Sequence, residues 1–258
     1  MKLFFIFYSS IFIIIKLYCP TVTQWHHVTK TMPPDKKVIK SLIPGNLFLS
    51  YLESYIIMQK KFLRESPWLQ EKLNLSDDQI NNAQVVQPVI LKYTVDIGAH
   101  IFFFGDLHGD VQALSSLLYK LYQDQIIDNN FKIISSKDHF FFLGDLVDRG
   151  EHGSDTLALL FTFALKNPGR VIILRGNHED MSINRNYGES GFEGQLKKLY
   201  NDSPEKFNQA ILRIINFYNL LPVAAFVGCN DTYLQCCHGG LEPRYIANPN
   251  QMHTHQNA

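Results

Sequence analysis

Apolar and polar positions fall into different textures along the chain, beginning with a nearly unbroken apolar run at residues 3–15. Only Ser9 and Ser10 interrupt it, with Lys2 in front and Lys16, Cys19 and Pro20 behind. A basic residue ahead of an apolar stretch shorter than the ~20 residues of a spanning helix predicts a signal peptide or anchor over residues 1–19. Leu17 and Tyr18 are larger than the residues a signal peptidase prefers, so an uncleaved anchor stays open. The chain is therefore expected to be secreted, periplasmic or membrane-anchored through this segment, and otherwise cytoplasmic. Residues 20–44 are polar, carry Pro33-Pro34 and hold no periodicity, and they read as a linker. Leu49, Leu52, Ile56, Phe62 and Leu63 then recur at helical spacing up to Pro67, predicting one or two amphipathic helices over 47–73. Ser76 and Gln79 form an S-x-x-Q capping box that starts another short helix. Residues 20–87 are thus expected to be linker and N-terminal helices.

After Pro88 the texture changes. Ile101-Phe102-Phe103-Phe104 runs into Gly105-Asp106, and Phe140-Phe141-Phe142-Leu143 into Gly144-Asp145. Val171-Ile172-Ile173-Leu174 leads into Arg175-Gly176-Asn177-His178. Four-residue apolar runs bounded by turn residues predict buried strands, and helical spacing at 111–121 and 157–165 predicts helices between them. Strand, polar loop and helix in repetition give an α/β fold whose polar residues sit at the carboxyl ends of the strands, where ligand sites collect. A further pair of β-like segments, 223–227 and 232–236, leads into Cys237-His238-Gly239-Gly240.

Composition narrows the partners. The 24 Lys and Arg balance 24 Asp and Glu, so no net field favours nucleic acid or an anionic membrane surface. A membrane contact is expected only through the N-terminal segment. At 46% hydrophobic and 19% charged residues, the chain has enough apolar surface to fold. Cys19, Cys229, Cys236 and Cys237 lack the paired spacing of a zinc site and read as small buried hydrophobes.

The strand-end loops deliver Asp106 and His108, then Asp145, Asp148 and Arg149, then Asn177 and His178, and finally His238. Carboxylate, imidazole and amide oxygen together form a mixed ligand set suited to Mn, Fe or Zn. Two blander readings compete. Asp106 and Asp145 are also suited to capping the following helices, and Asp148 with Arg149 to a surface ion pair of small worth. Glu179 reads as structural, and His26, His27, His100, His139 and His152 as exposed or packing residues.

The motifs 105–109 (Gly-Asp-Leu-His-Gly), 144–150 (Gly-Asp-Leu-Val-Asp-Arg-Gly), 175–179 (Arg-Gly-Asn-His-Glu) and 238–241 (His-Gly-Gly-Leu) resemble successive signatures of the calcineurin-like metallophosphoesterases. More narrowly, the chain is similar to the phosphoprotein phosphatases, which act on phosphoserine and phosphothreonine. Ser182-Ile183-Asn184-Arg185, Tyr187-Gly188 and the 221–225 stretch (Leu-Pro-Val-Ala-Ala) add to that likeness, which spans about residues 93–243. The resemblance implies a β-sandwich flanked by helices, with a catalytic domain over 88–258 and two divalent metal ions. Asp106 and His108 would hold one ion, Asp145 would bridge both, and Asn177 and His238 would hold the second. Arg149 would clamp phosphate oxygens, and His178, oriented by Asp148, would protonate the leaving alkoxide. The implied reaction is direct attack of a metal-bridging hydroxide on a phosphoprotein or phosphopeptide. A hydrolase of small phosphoesters or dinucleoside polyphosphates, and an inactive phosphatase-like binding module, are the alternatives.

The family also places a metal-binding histidine, a second arginine and a tyrosine well downstream of the His-Gly-Gly loop. This sequence ends at Ala258, so the sandwich is expected to be short at its carboxyl end. The pair His253 and His255 follows too soon, after a loop-like stretch, and reads as solvated tail.

Overall fold

The computed structural model describes residues 20–32, 41–66, 80 and 89–239. The apolar run at 3–15, Cys19, the capping pattern at 76–79, Gly240, Leu241, His253 and His255 lie outside the described residues. Among the described residues, no helix is long and apolar enough to cross a membrane.

Among the described residues, the strands form two three-stranded sheets. In the first, β1 (Ile90–Thr94) pairs in parallel with β5 (Ala224–Cys229), which pairs antiparallel with β6 (Thr232–Cys237). In the second, β2 (His100–Phe104), β3 (Asp138–Phe142) and β4 (Val171–Ile173) run parallel in that order. Parallel register sets Phe102 opposite Phe140 and Phe104 opposite Phe142. These rings stack at 4.7 and 5.0 Å between centroids. Successive side chains on a strand face opposite ways. Phe140 and Phe142 therefore meet Phe163 on one side, while Phe141 meets Tyr93 of β1 edge-on at 5.2 Å on the other. The mixed α/β sandwich expected from the sequence is thus present, with sheets flanked by helices.

β2 departs from expectation. Its run of aromatics reads as a buried strand, yet it is the edge of its sheet, and Phe103 is 38% exposed. β3 is the central strand, buried and paired on both edges, and β4 on its far side is buried too.

Among the described residues, the α-helices include α1 (Val22–Lys30), α2 (Gly45–Glu65), α3 (Val111–Gln123), α4 (Gly153–Lys166), α5 (Met181–Asn186), α6 (Phe192–Leu199) and α7 (Pro204–Leu220). α2, α3 and α4 lie where helical spacing predicts them, and residues 67–73 of the first of these predictions lie outside the described residues. α4 is buried on every side along most of its length, because α2, α3 and α6 pack around it and Phe217 of α7 reaches Phe161. Tyr55, Phe161 and Phe217 form a ring cluster there, with centroids 4.7 to 5.5 Å apart.

Residues 22–30 overturn the linker reading. Thr21 and Gln24 make a reciprocal capping box that starts α1. Val22, Trp25 and Thr29 are buried, His26 stacks on Tyr119 at 4.0 Å, and the Thr29 hydroxyl donates to Ser115 Oγ on α3. Segment 41–43 is also fixed, because buried Asp155 at the start of α4 accepts from Ser41 Oγ and Ile43 N.

The amino-terminal edge of the parallel sheet holds a polar cluster. Tyr93 donates its hydroxyl proton to the Gly169 carbonyl at 2.5 Å, so His139 Nδ1, at 2.8 Å, is the donor to the phenol oxygen. Arg170 reaches the Ser135 and Asp138 carbonyls, and His100 Nδ1 lies 2.9 Å from Asp138 Oδ1. Burial pushes the Tyr93 phenol up to about 12. Burial first and Arg170 second hold His139 below its ordinary value.

Candidate active site

The opposite edge is built from backbone that most residues avoid. His108, Asp145, Asp148 and Arg149 have φ of 45°, 53°, 65° and 63°, the left-handed region that costs a residue with a Cβ. Contacts between loops maintain these conformations. Leu107 N and His108 N both donate to the Asp145 carbonyl, at 2.9 and 2.8 Å, and Gly109 N donates to Leu146 O at 2.9 Å. Gly144 has φ +105°, and a Cβ there would collide with the Gly176 backbone, so the loops after β3 and β4 touch. Glu179 locks that contact. Its buried carboxylate accepts from Asp145 N, Leu146 N and Gly176 N at 2.7 to 2.9 Å. Burial raises its pKa against the lowering effect of those three donors. The structural reading of Glu179 agrees with this geometry.

Side chains from all four loops meet above this backbone. Asp145 Oδ2 lies 3.3 Å from His238 Nε2, 3.7 Å from His108 Nε2 and 3.9 Å from His178 Nε2. Asp106 reaches from the exposed side, 3.5 Å from His108 Nε2 and 3.8 Å from His238 Nδ1. Asn177 Oδ1 is 3.0 Å from His238 Nε2. Two groups of three have ligand atoms close enough to share a cation: His108, Asp145 and His178, and Asp106, Asp145 and His238. Asp145 belongs to both. The sequence-based division instead paired Asp106 with His108 and kept His178 apart.

The donor set fits a metal. His108 Nδ1 lies 3.1 Å from the Val147 carbonyl, which can only accept, so Nδ1 carries the hydrogen and the Nε2 lone pair points inward. Nε2 is shut away from solvent with no hydrogen-bond partner. A buried unpartnered imidazole nitrogen beside a buried carboxylate is costly, and a bound cation would satisfy both. The helix-cap alternative finds no support. The side chain capping α3 is Asp110, which accepts from Ala113 N, and the residue at the N-cap of α4 is His152.

The remaining candidates form a second layer. Asp148 is fully buried and makes no surface ion pair. Its Oδ2 lies 2.8 Å from His178 Nδ1 and accepts from Asn184 Nδ2, while Oδ1 accepts from Phe192 N. His178 is thereby held with Nε2 facing the site, 3.4 Å from an Arg149 guanidinium nitrogen. Arg149 is exposed, and the Tyr187 hydroxyl is the first of the groups that raise its pKa. Asn184 also bonds the His178 carbonyl and accepts from Tyr218, whose own pKa is pushed far up by burial. Sequence reasoning gave no role to Asn184, Tyr187 or Gln195. The first two stand within the 182–188 stretch already singled out, whereas Gln195 carries no sequence signal. Of the cysteines, Cys236 is buried as expected, but Cys229 and Cys237 are only partly so.

The calcineurin-like phosphoesterase family model matches residues 99–257, more than half of the chain. The chain belongs to that family. Its members use a dinuclear divalent metal centre, and the four loops bring candidate ligands together here. Among solved structures, the fold is similar to a protein serine/threonine phosphatase from Saccharomyces cerevisiae with similarity to human phosphatase PP5. Identity is 21% over 78% of this chain and 49% of that one, with a TM-score of 0.53. The cold-active protein-tyrosine phosphatase of a psychrophilic Shewanella is also similar, at 22% identity over 62% of this chain and 46% of that one, TM-score 0.43. The chain spans about half the length of these proteins. A phosphoesterase of this family is a hydrolase.

Proposed function

We propose that this chain is a metal-dependent phosphomonoester hydrolase whose substrates are phosphoserine and phosphothreonine in proteins. The observation that carries the reading is the convergence of four strand-end loops on the Asp145 carboxylate, beside the unpartnered Nε2 of His108. Asp106, His108 and Asp145 would hold one divalent ion, and Asp145, Asn177 and His238 the other, with Mn, Fe and Zn all compatible with these donors. Two such ions supply charge neutralisation on the phosphoryl oxygens and a lowered pKa for the attacking water.

The protein's own residues do the rest. Arg149, permanently charged and presented outward, binds two phosphoryl oxygens through its planar fork. A serine alkoxide is a poor leaving group and needs a proton as the P–O bond breaks. His178 provides it from Nε2, and Asp148 fixes the ring through Nδ1 and stabilises the charged form. Exposed Arg149 and Tyr187 at the rim suit a phosphate presented on a protein surface rather than a small molecule enclosed in a pocket.

The test is phosphate release from a phosphoserine peptide by manganese-loaded protein, with Asp145→Asn alongside. Hydrolysis that depends on metal and disappears in Asp145→Asn is expected. Folded, metal-loaded wild-type protein that releases no phosphate, or an Asp145→Asn variant as active as wild type, overturns the reading.

A further inference from the structure

Arg149 and its neighbour Asp148 occupy consecutive left-handed conformations, so the turn that presents the guanidinium is not one the chain adopts unaided. On its inner side the Asp148 carboxylate holds it. On its outer side a single side chain from α6 closes it. Gln195 Nε2 donates to the Gly150 carbonyl at 2.8 Å, and Gln195 Oε1 accepts from Gly153 N at 2.8 Å. The first partner is the carbonyl of the residue that follows Arg149. The second is the first free N–H of α4, an orphan donor by the geometry of helix ends. One planar amide thus spans the turn between Arg149 and the helix. α6 comes this close because residue 153 is glycine, whose Cβ would stand 2.7 Å from Phe192 Cδ2 and 3.0 Å from Gln195 Oε1.

We propose that Gln195 is a positioning residue for Arg149, fixing the guanidinium in the direction that grips a phosphoryl group. This rests on the reading of Arg149 as a phosphate clamp. The role requires an amide, since both a donor and an acceptor are used. Glutamate keeps the acceptor toward Gly153 N but turns a carboxylate oxygen toward the Gly150 carbonyl. Methionine keeps the length and loses both bonds.

Titration calorimetry of inorganic phosphate into the manganese-loaded full chain tests the proposal, comparing wild type, Gln195→Glu, Gln195→Met, Arg149→Ala and Arg149→Ala/Gln195→Glu. Each Gln195 variant is expected to weaken phosphate binding by about 5- to 30-fold, the usual worth of one or two hydrogen bonds. It should raise KM for a phosphopeptide more than it lowers kcat. The double variant should bind phosphate no more weakly than Arg149→Ala alone, because the effect runs through the guanidinium. Wild-type affinity in both Gln195 variants overturns the proposal. So does an equal further loss in the Arg149→Ala background, or absence of phosphate binding by the wild type. If phosphate binding follows the expected pattern while phosphopeptide is not hydrolysed, the clasp stands and the phosphatase reading falls.

Discussion

The two ends of β3 carry nearly the same residue types and differ in what those residues have left to give. At the amino end, Asp138, His139, His100, Arg170 and Tyr93 lie together, and their hydrogen bonds close on one another or on carbonyls. At the carboxyl end, Asp106 and Arg149 are exposed, His108 Nε2 is buried without a partner, and four residues hold left-handed backbone. A cluster of titratable groups is therefore not in itself a site. Unspent bonding capacity, held in place at a conformational cost, separates the edge that carries the candidate site from the one that joins the two sheets.

The largest effect that would sharpen this contrast is at His178. His178→Asn should lower kcat for phosphoserine peptide by about 10²- to 10⁴-fold, the range for a lost general acid, with KM little changed. A variant losing less than tenfold would remove His178 from the proton transfer. At the other end, Tyr93→Phe removes a hydroxyl that serves both His139 and the Gly169 carbonyl. It should cost about 1 kcal/mol in urea unfolding and leave kcat unchanged. A fall in activity without a fall in stability would break the distinction between the ends.

The smallest effect is the pH dependence of His139. Its folded pKa lies below the ordinary 6.5, so the unfolded chain binds the proton more readily. The stability it contributes is present in full above that value and declines as pH falls through the depressed folded one. Melting curves of metal-free wild type and His139→Gln from about pH 8 to about pH 5 should converge toward the acid end. A constant difference across the range would show that His139 does not titrate with folding.

Much of this architecture was legible, for reasons the coordinates make concrete. The Gly-Asp stop after 143 marks a strand because Gly144 and Asp145 turn there into the left-handed region beside the Gly176 backbone, and the stop after 104 leads within a few residues to left-handed His108 and Gly109. α3 and α4 follow from their spacing. What failed was context. The aromatic run of β2 looks like that of β3, and only pairing order tells an edge from a centre. α1 is short and bracketed by polar sequence, so its Thr21–Gln24 capping pattern stands out little from its surroundings. β1, α5 and α6 carry no comparable run or spacing, whereas α7 begins with Ser203 capping Lys206 N and Pro204 in its first turn. Of the candidate site, the residue identities came from motif spacing. The supporting bonds of Asn184, Gln195 and Glu179 did not, since a side chain that holds backbone leaves no pattern in composition or period.

The packing of α1 and α2 has a practical corollary for anyone preparing this protein. The family match begins at residue 99, which invites a shortened version starting there. Such a cut would strip Tyr55 from Phe161 and Phe217, take Thr29 from Ser115, and leave the Asp155 carboxylate without Ser41 and Ile43. The packed unit is accordingly larger than the stretch that the family model matches, and it takes in α1 and α2.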